Sequence, residues 1–175
     1  TGADAVIKLK QEVYKQLRPD DAEAVIPRYE AIRYLIIDAD DSQIEPLAAM
    51  TDIDKNTEFF ALSNSSIKST FEAKEILKTR RELYWLDYEN ISIDEASKGA
   101  GGIRQVGRFL LVDKGEALYA KMKSVIEGAL TAAKSGELDI HICSGLSGGT
   151  GSGIFLDVCY LVRRILKQIG KQEAR

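Results

Sequence analysis

Leu138-Asp139-Ile140-His141-Ile142-Cys143-Ser144 runs into Gly145-Leu146-Ser147-Gly148-Gly149-Thr150-Gly151-Ser152-Gly153, and then into an apolar-periodic run from Ile154 to Ile169. The order reads as strand, glycine loop, helix. Gly148, Gly149, Gly151 and Gly153 fall within six residues, a density that frees the backbone for positive φ and bares its amides to a ligand. The helix that follows adds unsatisfied N–H groups and the positive end of its dipole, so the loop suits an anion such as phosphate. Thr150 and Ser152 bring two hydroxyl donors to the same place.

The rest of the chain bounds what such a loop serves. With 175 residues and 45% hydrophobic content, one core of useful size can be buried, and a single domain spanning 1–175 is expected. Lys and Arg total 24 against 27 Asp and Glu, a net charge of -3, so no nucleic-acid partner is expected and an anionic ligand must be held by local loops. No apolar run approaches the roughly 20 residues of a membrane span, and the N-terminus lacks a charged-then-apolar signal pattern, so a cytoplasmic protein is expected. Cys143 and Cys159 read as two small buried hydrophobes in a reducing compartment, and His141 as a histidine on a strand face without partners for a metal.

Val6, Leu9, Val13 and Leu17 recur at helical spacing from Ala3 to Leu17, and Pro19 ends that helix. Arg33 to Asp38 has the character of a buried parallel strand, followed by a loop Ala39-Asp40-Asp41-Ser42, a short helix near Glu45 to Met50, and a second strand at Thr57 to Leu62. Ser69 and Glu72 have capping-box spacing and predict a helix through about Trp85, with Lys78 to Glu82 as its solvated face. Tyr84, Trp85 and Tyr88 are expected to pack in the core or a lid. A second glycine loop, Lys98-Gly99-Ala100-Gly101-Gly102, leads into Ile103 to Val112. Asp113 and Glu116 predict another capping box, and Leu118, Met122, Val125, Ile126, Ala129 and Ala133 keep helical spacing until Gly136. The last helix is expected to bury Phe155, Val158, Val162, Ile165 and Ile169 and to expose Arg163, Arg164 and Lys167.

Strands alternating with helices predict an α/β fold, a Rossmann-like parallel sheet with helices on both faces. Ligands collect at the carboxyl ends of such strands. Three loops converge there: Asp38 to Ser42, Gly99 to Gly102 and Gly145 to Gly153, with Thr1 to Asp4 as a fourth if a strand precedes it. A Walker loop fails for want of a lysine beside Gly151-Ser152-Gly153, and the dinucleotide spacing GxGxxG is not met.

Ser147-Gly148-Gly149-Thr150-Gly151-Ser152-Gly153 resembles the tubulin and FtsZ signature G-G/A-G-T-G-S/T-G at every position but Ser147. Gly99-Ala100-Gly101-Gly102 with Val106-Gly107-Arg108 resembles the second glycine loop of FtsZ, Asp38-Ala39-Asp40 its acidic loop, and Thr1-Gly2-Ala3-Asp4-Ala5-Val6 the end of its first loop. The order is the family's, and the resemblance covers almost the whole chain. It departs at Ser147, at Asp4, which stands where FtsZ has asparagine, in the longer spacing from Val106 to Ser147 around Leu110 to Glu116, and at Ser63 to Lys98.

The resemblance implies a tubulin/FtsZ-type nucleotide-binding domain, here its N-terminal portion, with a strand ahead of Thr1 and further chain beyond Arg175. It implies GTP or GDP as ligand, with Mg²⁺, and self-association of the full-length protein into filaments. Gly145, Gly148, Gly149, Thr150, Gly151 and Ser152 would bind the α- and β-phosphates, Ala100, Gly101 and Gly102 the γ-phosphate, and Gly2, Ala3 and Asp4 would flank them. Asp38, Asp40 or Asp41 would hold water on Mg²⁺; a solvated turn is an equally open reading of these carboxylates. Base selection and hydrolytic acids belong, in the family, to later sequence, so no catalytic residue is assigned. A non-hydrolysing nucleotide-binding scaffold and a Rossmann-like enzyme for another phosphorylated ligand are the alternatives.

Overall fold

The strand formers around Ile36 and Phe59 meet in parallel. A computed structural model describes residues 2–17, 31–40, 53–63, 67–91, 99–133 and 136–171. In it β1 (Ile36–Asp38) pairs with β2 (Phe59–Ala61), Ile36 opposite Phe59 and Asp38 opposite Ala61. Two flanking bonds extend the ladder: Ile36 N–H donates to the Glu58 carbonyl (2.8 Å) and Leu62 N–H to the Asp38 carbonyl (2.7 Å). Both strands lie inside the runs expected from the sequence, while the short helix expected near Glu45 to Met50 falls outside the described residues. Successive side chains of β1 point to opposite faces, and they feed two clusters. Ile36 packs with Ile7 and Ile53, whereas Leu35 and Ile37 pack against the larger cluster.

The sheet has two strands among the described residues, so the wider parallel sheet expected from the sequence is not assembled there. The segment 138–144, expected as a strand, forms no ladder with a described residue. It nevertheless keeps a strand's alternation. Leu138, Ile140 and Ile142 pack against the larger cluster, while Asp139, His141 and Cys143 are exposed. Cys143 is therefore not the buried hydrophobe expected, because its position in the alternation turns it outward; Cys159 is half-buried and both thiols are free.

Helix α1 (Gly2–Leu17) is present as expected, with its buried stripe turned by one position. Ile7, Lys10 and Tyr14 are buried, and Leu9, expected inside, is 46% exposed. The cause is electrostatic. Lys10, 2% exposed, donates to Glu58 Oε2 at 2.6 Å and lies 5.4 Å from the ring centroids of both Tyr14 and Tyr34. The same Glu58 oxygen accepts the Asp54 N–H at 2.8 Å. A lysine is tolerated at a buried helix position because its charge is paired and its stem and ammonium rest on aromatic faces.

The Tyr34 hydroxyl is buried with no hydrogen-bond partner. Its pKa is raised, chiefly by burial and then by the nearby Tyr14 and Glu58. The unfolded chain therefore ionises first, so stability present below about pH 10 is lost as pH climbs towards the folded value. Tyr34→Phe is expected to leave neutral-pH stability unchanged or higher and to flatten the alkaline limb in denaturant titrations. Superimposable alkaline limbs would count against that account.

The helix expected from Ser69 to Trp85 is broken into α2 (Ile67–Glu72), α3 (Lys74–Thr79) and a 3₁₀ turn (Arg81–Leu83). Ser69 is not a cap: it lies within α2, and its carbonyl accepts the Ala73 N–H. The breaks let Phe71, Leu77, Leu83 and Leu86 all reach the larger cluster, which one straight helix face would not allow. Trp85 and Tyr88 pack against that cluster, as expected, whereas Tyr84 is 90% exposed. The charges from Lys78 to Glu82 sit on the surface in local pairs, Lys78 with Glu75 at 2.8 Å and Arg80 with Glu82 at 2.7 Å.

Helices α4 (Arg104–Asp113), α5 (Gly115–Ala132) and α6 (Gly149–Gln168) complete the larger cluster. Leu118, Met122, Ile126 and Ala129 of α5 are buried on the stripe the sequence predicted. The capping box expected at Asp113 and Glu116 does not form. Asp113 ends α4, Lys114 caps α5 without a side-chain bond, and the Asp113 carboxylate lies 3.8 Å from Arg80. On α6, Val158, Val162 and Ile165 are buried and Arg163, Arg164 and Lys167 exposed, as expected. Phe71 and Phe109 meet edge to face at 5.0 Å across the α2–α4 contact. No helix of the described residues is long and apolar enough to cross a membrane.

Candidate functional site

Helix α6 starts earlier than the apolar periodicity suggests. Gly149, Thr150, Gly151 and Ser152 form its first turn, capped by Gly148 at φ -88° and ψ 166° with no side-chain cap. None of Gly148, Gly149, Gly151 and Gly153 has positive φ, so the expectation that these glycines serve left-handed backbone is corrected. Space is the reason for three of them. A β-carbon on Gly149 would lie 2.6 Å from Ile103 N and 2.8 Å from the Gly102 carbonyl carbon. One on Gly151 would lie 2.6 Å from the Gly145 carbonyl oxygen and 2.9 Å from Ser144 Oγ, and one on Gly153 would collide with the Arg104 carbonyl. Gly107 answers from α4, where a β-carbon would collide with the Gly149 carbonyl. The first turns of α4 and α6 are thus packed backbone to backbone.

Positive φ is confined, near this site, to the second glycine loop. Gly99, Gly101 and Gly102 have φ of 69°, 54° and 78°, and Ile103 N–H closes the turn on the Ala100 carbonyl at 2.9 Å. Consecutive left-handed glycines turn the chain sharply into α4.

The candidate loops are joined in a continuous series. A β-carbon on Gly2 would lie 3.0 Å from the Cys143 carbonyl oxygen, and one on Gly145 would lie 4.0 Å from Gly2 N. Gly151 abuts Gly145, and Gly149 abuts Ala100 to Ile103. Gly99 in turn abuts the Ala39–Asp40 backbone at 3.3 Å. The structure therefore brings together Gly2, Asp38 to Asp40, Gly99 to Gly102 and Gly145 to Ser152. The N-termini of α1, α4 and α6 all point into this cluster, each carrying unsatisfied N–H groups and a partial positive charge of about half a unit. Ala3 and Asp4 lie on the first turn of α1, Asp4 exposed.

Side chains add detail that the sequence did not announce. The Ser152 hydroxyl donates to the Gly148 carbonyl, so its proton is committed within the helix, contrary to its expected role as a free donor. The Ser144 hydroxyl is buried without a partner beneath the same turn. Asp38 Oδ1 accepts the Asp40 N–H at 3.1 Å, an Asx turn that fixes the acidic loop. Arg104 Nη2 reaches the Leu146 carbonyl at 3.4 Å, linking the two glycine loops. Arg108 makes a two-pronged contact with Asp157, at 2.8 and 3.2 Å, and lies 4.6 Å from the Trp85 ring centroid. The only sequence cue for Arg104 was its place directly after the second glycine loop, and for Asp157 its lone charge in the apolar start of α6. Among the described residues no group of three His, Cys, Asp or Glu side chains is placed to hold a metal.

A parallel strand pair and a cluster of glycine loops at three helix N-termini define a helix-rich mixed α/β protein. Within that class, the chain belongs to the tubulin-like family: a family model described as tubulin like matches residues 1–174. Comparison with curated proteins and with solved structures found no match.

Proposed function

We propose that the glycine-loop cluster binds the phosphates of a guanine nucleotide, GTP or GDP, in a domain of the Rossmann-like tubulin/FtsZ type, and that the full-length protein is a self-assembling GTPase. One observation carries the binding part of this reading: three helix N-termini converge on glycine loops in which Gly102 and Gly148 stand on open space, with nothing within 4 Å of a β-carbon position. Such a cradle is complementary to a polyphosphate. The amides at Gly148 to Ser152 would take the inner phosphates, those at Ala100 to Gly102 the terminal one, and the first turn of α1 would close the third side. The segment 138–144, with its strand-like alternation, would join a wider parallel sheet in the whole domain.

Magnesium fits as a passenger on the nucleotide. With no ready protein cage among the described residues, phosphate oxygens and water would supply most ligands, and Asp38 or Asp40 would act through water. Guanine choice, hydrolysis and self-assembly rest on the family.

Calorimetry with GTP, GDP and ATP tests the binding part. Gly148 gives a clean variant, because its φ is ordinary and a β-carbon there meets nothing within 4 Å. The family signature admits alanine at this position, so a larger residue is needed. Gly148→Val is expected to cost about 1 kcal/mol of stability as a poorer cap and to weaken nucleotide binding at least about tenfold, roughly 1.4 kcal/mol. Absence of binding to the wild-type protein, or unchanged affinity in the variant, would sink the phosphate-loop assignment.

A further inference from the structure

We propose that Arg104 is a cation of this site, a guanidinium that leaves the Leu146 carbonyl and clamps the phosphates of the bound ligand. The proposal rests on the reading of the loop cluster as a phosphate site and assigns a residue that the glycine signatures do not contain. Arg104 is the first residue of α4, directly after the left-handed glycines Gly101 and Gly102, and it is exposed. Its backbone is pinned, since its carbonyl lies where a Gly153 β-carbon would be. Its side chain spans the mouth between the two glycine loops to reach Leu146.

Charge separates Arg104 from its neighbours. Arg108 is neutralised by Asp157, and Arg80 by Glu82 and Asp113. No carboxylate among the described residues pairs with Arg104. Its contact is a single bond to a neutral carbonyl at 3.4 Å, beyond the usual 2.7–3.2 Å range and correspondingly weak. A phosphate offers the same guanidinium a shorter, charge-assisted bond of bidentate geometry, roughly twice as strong. Among the described residues the rest of the cradle is backbone amide, which suits phosphate geometry, together with the carboxylates of Asp38 and Asp40, so it carries no full positive charge. An unpaired arginine on the rim supplies the missing unit and holds a loose cross-loop contact until a ligand displaces it.

The test compares wild-type, Arg104→Ala and Arg104→Lys proteins by calorimetry with GTP, GDP and inorganic pyrophosphate at low and moderate salt, alongside thermal unfolding. Arg104→Ala is expected to weaken binding of GTP at least tenfold and to reduce the salt dependence of its affinity, with a midpoint of unfolding close to wild type. Arg104→Lys should recover part of the affinity and the salt dependence, as a point charge without the planar fork. Loss shared with GDP and pyrophosphate puts the contact on inner phosphates, and loss confined to GTP puts it on the terminal one; either supports the clamp. Unchanged affinity and salt dependence in Arg104→Ala, with the wild type binding normally, overturns the clamp alone. No nucleotide binding by the wild type overturns the phosphate reading and the clamp with it.

Discussion

Gly107→Ala, Gly149→Ala and Gly153→Ala are each expected to destabilise the protein by about 3 kcal/mol or more, at the upper end of the cost of overpacking. For a chain of this size that lowers the unfolding midpoint by on the order of 10 °C. The methyl group in each case meets backbone of the neighbouring element: the Gly149 carbonyl, Ile103 N or the Arg104 carbonyl. Backbone has no rotamer to yield, so α4 and α6 must separate. Their separation would also splay two of the three helix N-termini at the loop cluster. Gly115→Ala provides the control, since a β-carbon there meets nothing within 4 Å and alanine favours the first turn of α5. Thermal unfolding of the four variants checks this; a Gly153→Ala protein as stable as Gly115→Ala would refute the backbone packing.

The second large effect is expected at Lys10. Lys10→Ala strands Glu58, whose side chain is only 14% exposed, against buried aromatic surface, and breaking a buried pair in this way costs about 3–5 kcal/mol. Lys10→Met keeps the stem's volume and should lose less. Combining Lys10→Met with Glu58→Gln should be more stable than the sum of the two single losses, because neither charge is then left alone. Denaturant unfolding of the double-mutant cycle measures the coupling, and strict additivity would show that the pair does not interact. The pair also bears on the site. Lys10 fixes α1 to the residue preceding β2, and α1 delivers Gly2 to Cys143 and Gly145, so the variants should weaken nucleotide binding even where they remain folded.

What the sequence disclosed follows from which interactions are local. The α5 stripe and the buried positions Val158, Val162 and Ile165 of α6 were legible because helical periodicity expresses one continuous apolar face. The loop cluster was legible because glycines in ordered blocks have few other uses, although the reason for them differed: close approach at Gly149, Gly151 and Gly153, and positive φ only at Gly99, Gly101 and Gly102. The turned stripe of α1 was hidden because a lysine reads as solvent-facing until its carboxylate, 48 residues away, is known. Ser69 with Glu72 and Asp113 with Glu116 had capping spacing, yet tertiary packing placed the helix ends elsewhere. Arg104 was hidden for a similar reason, since its meaning lies in a carbonyl 42 residues on.

Trp85 is the only tryptophan in the chain. Its indole N–H is anchored to the Glu82 carbonyl at 2.9 Å, and the face of its ring carries the Arg108 guanidinium. Arg108 lies one turn beyond Arg104 on α4 and is bound to α6 through Asp157. Tryptophan emission, excited selectively over that of the seven tyrosines, therefore originates from a single indole resting on the helix pair that leads out of the loop cluster. The protein carries its own spectroscopic probe, and ligand-driven movement of α4 against α6 can be followed as a change in fluorescence without attaching a label.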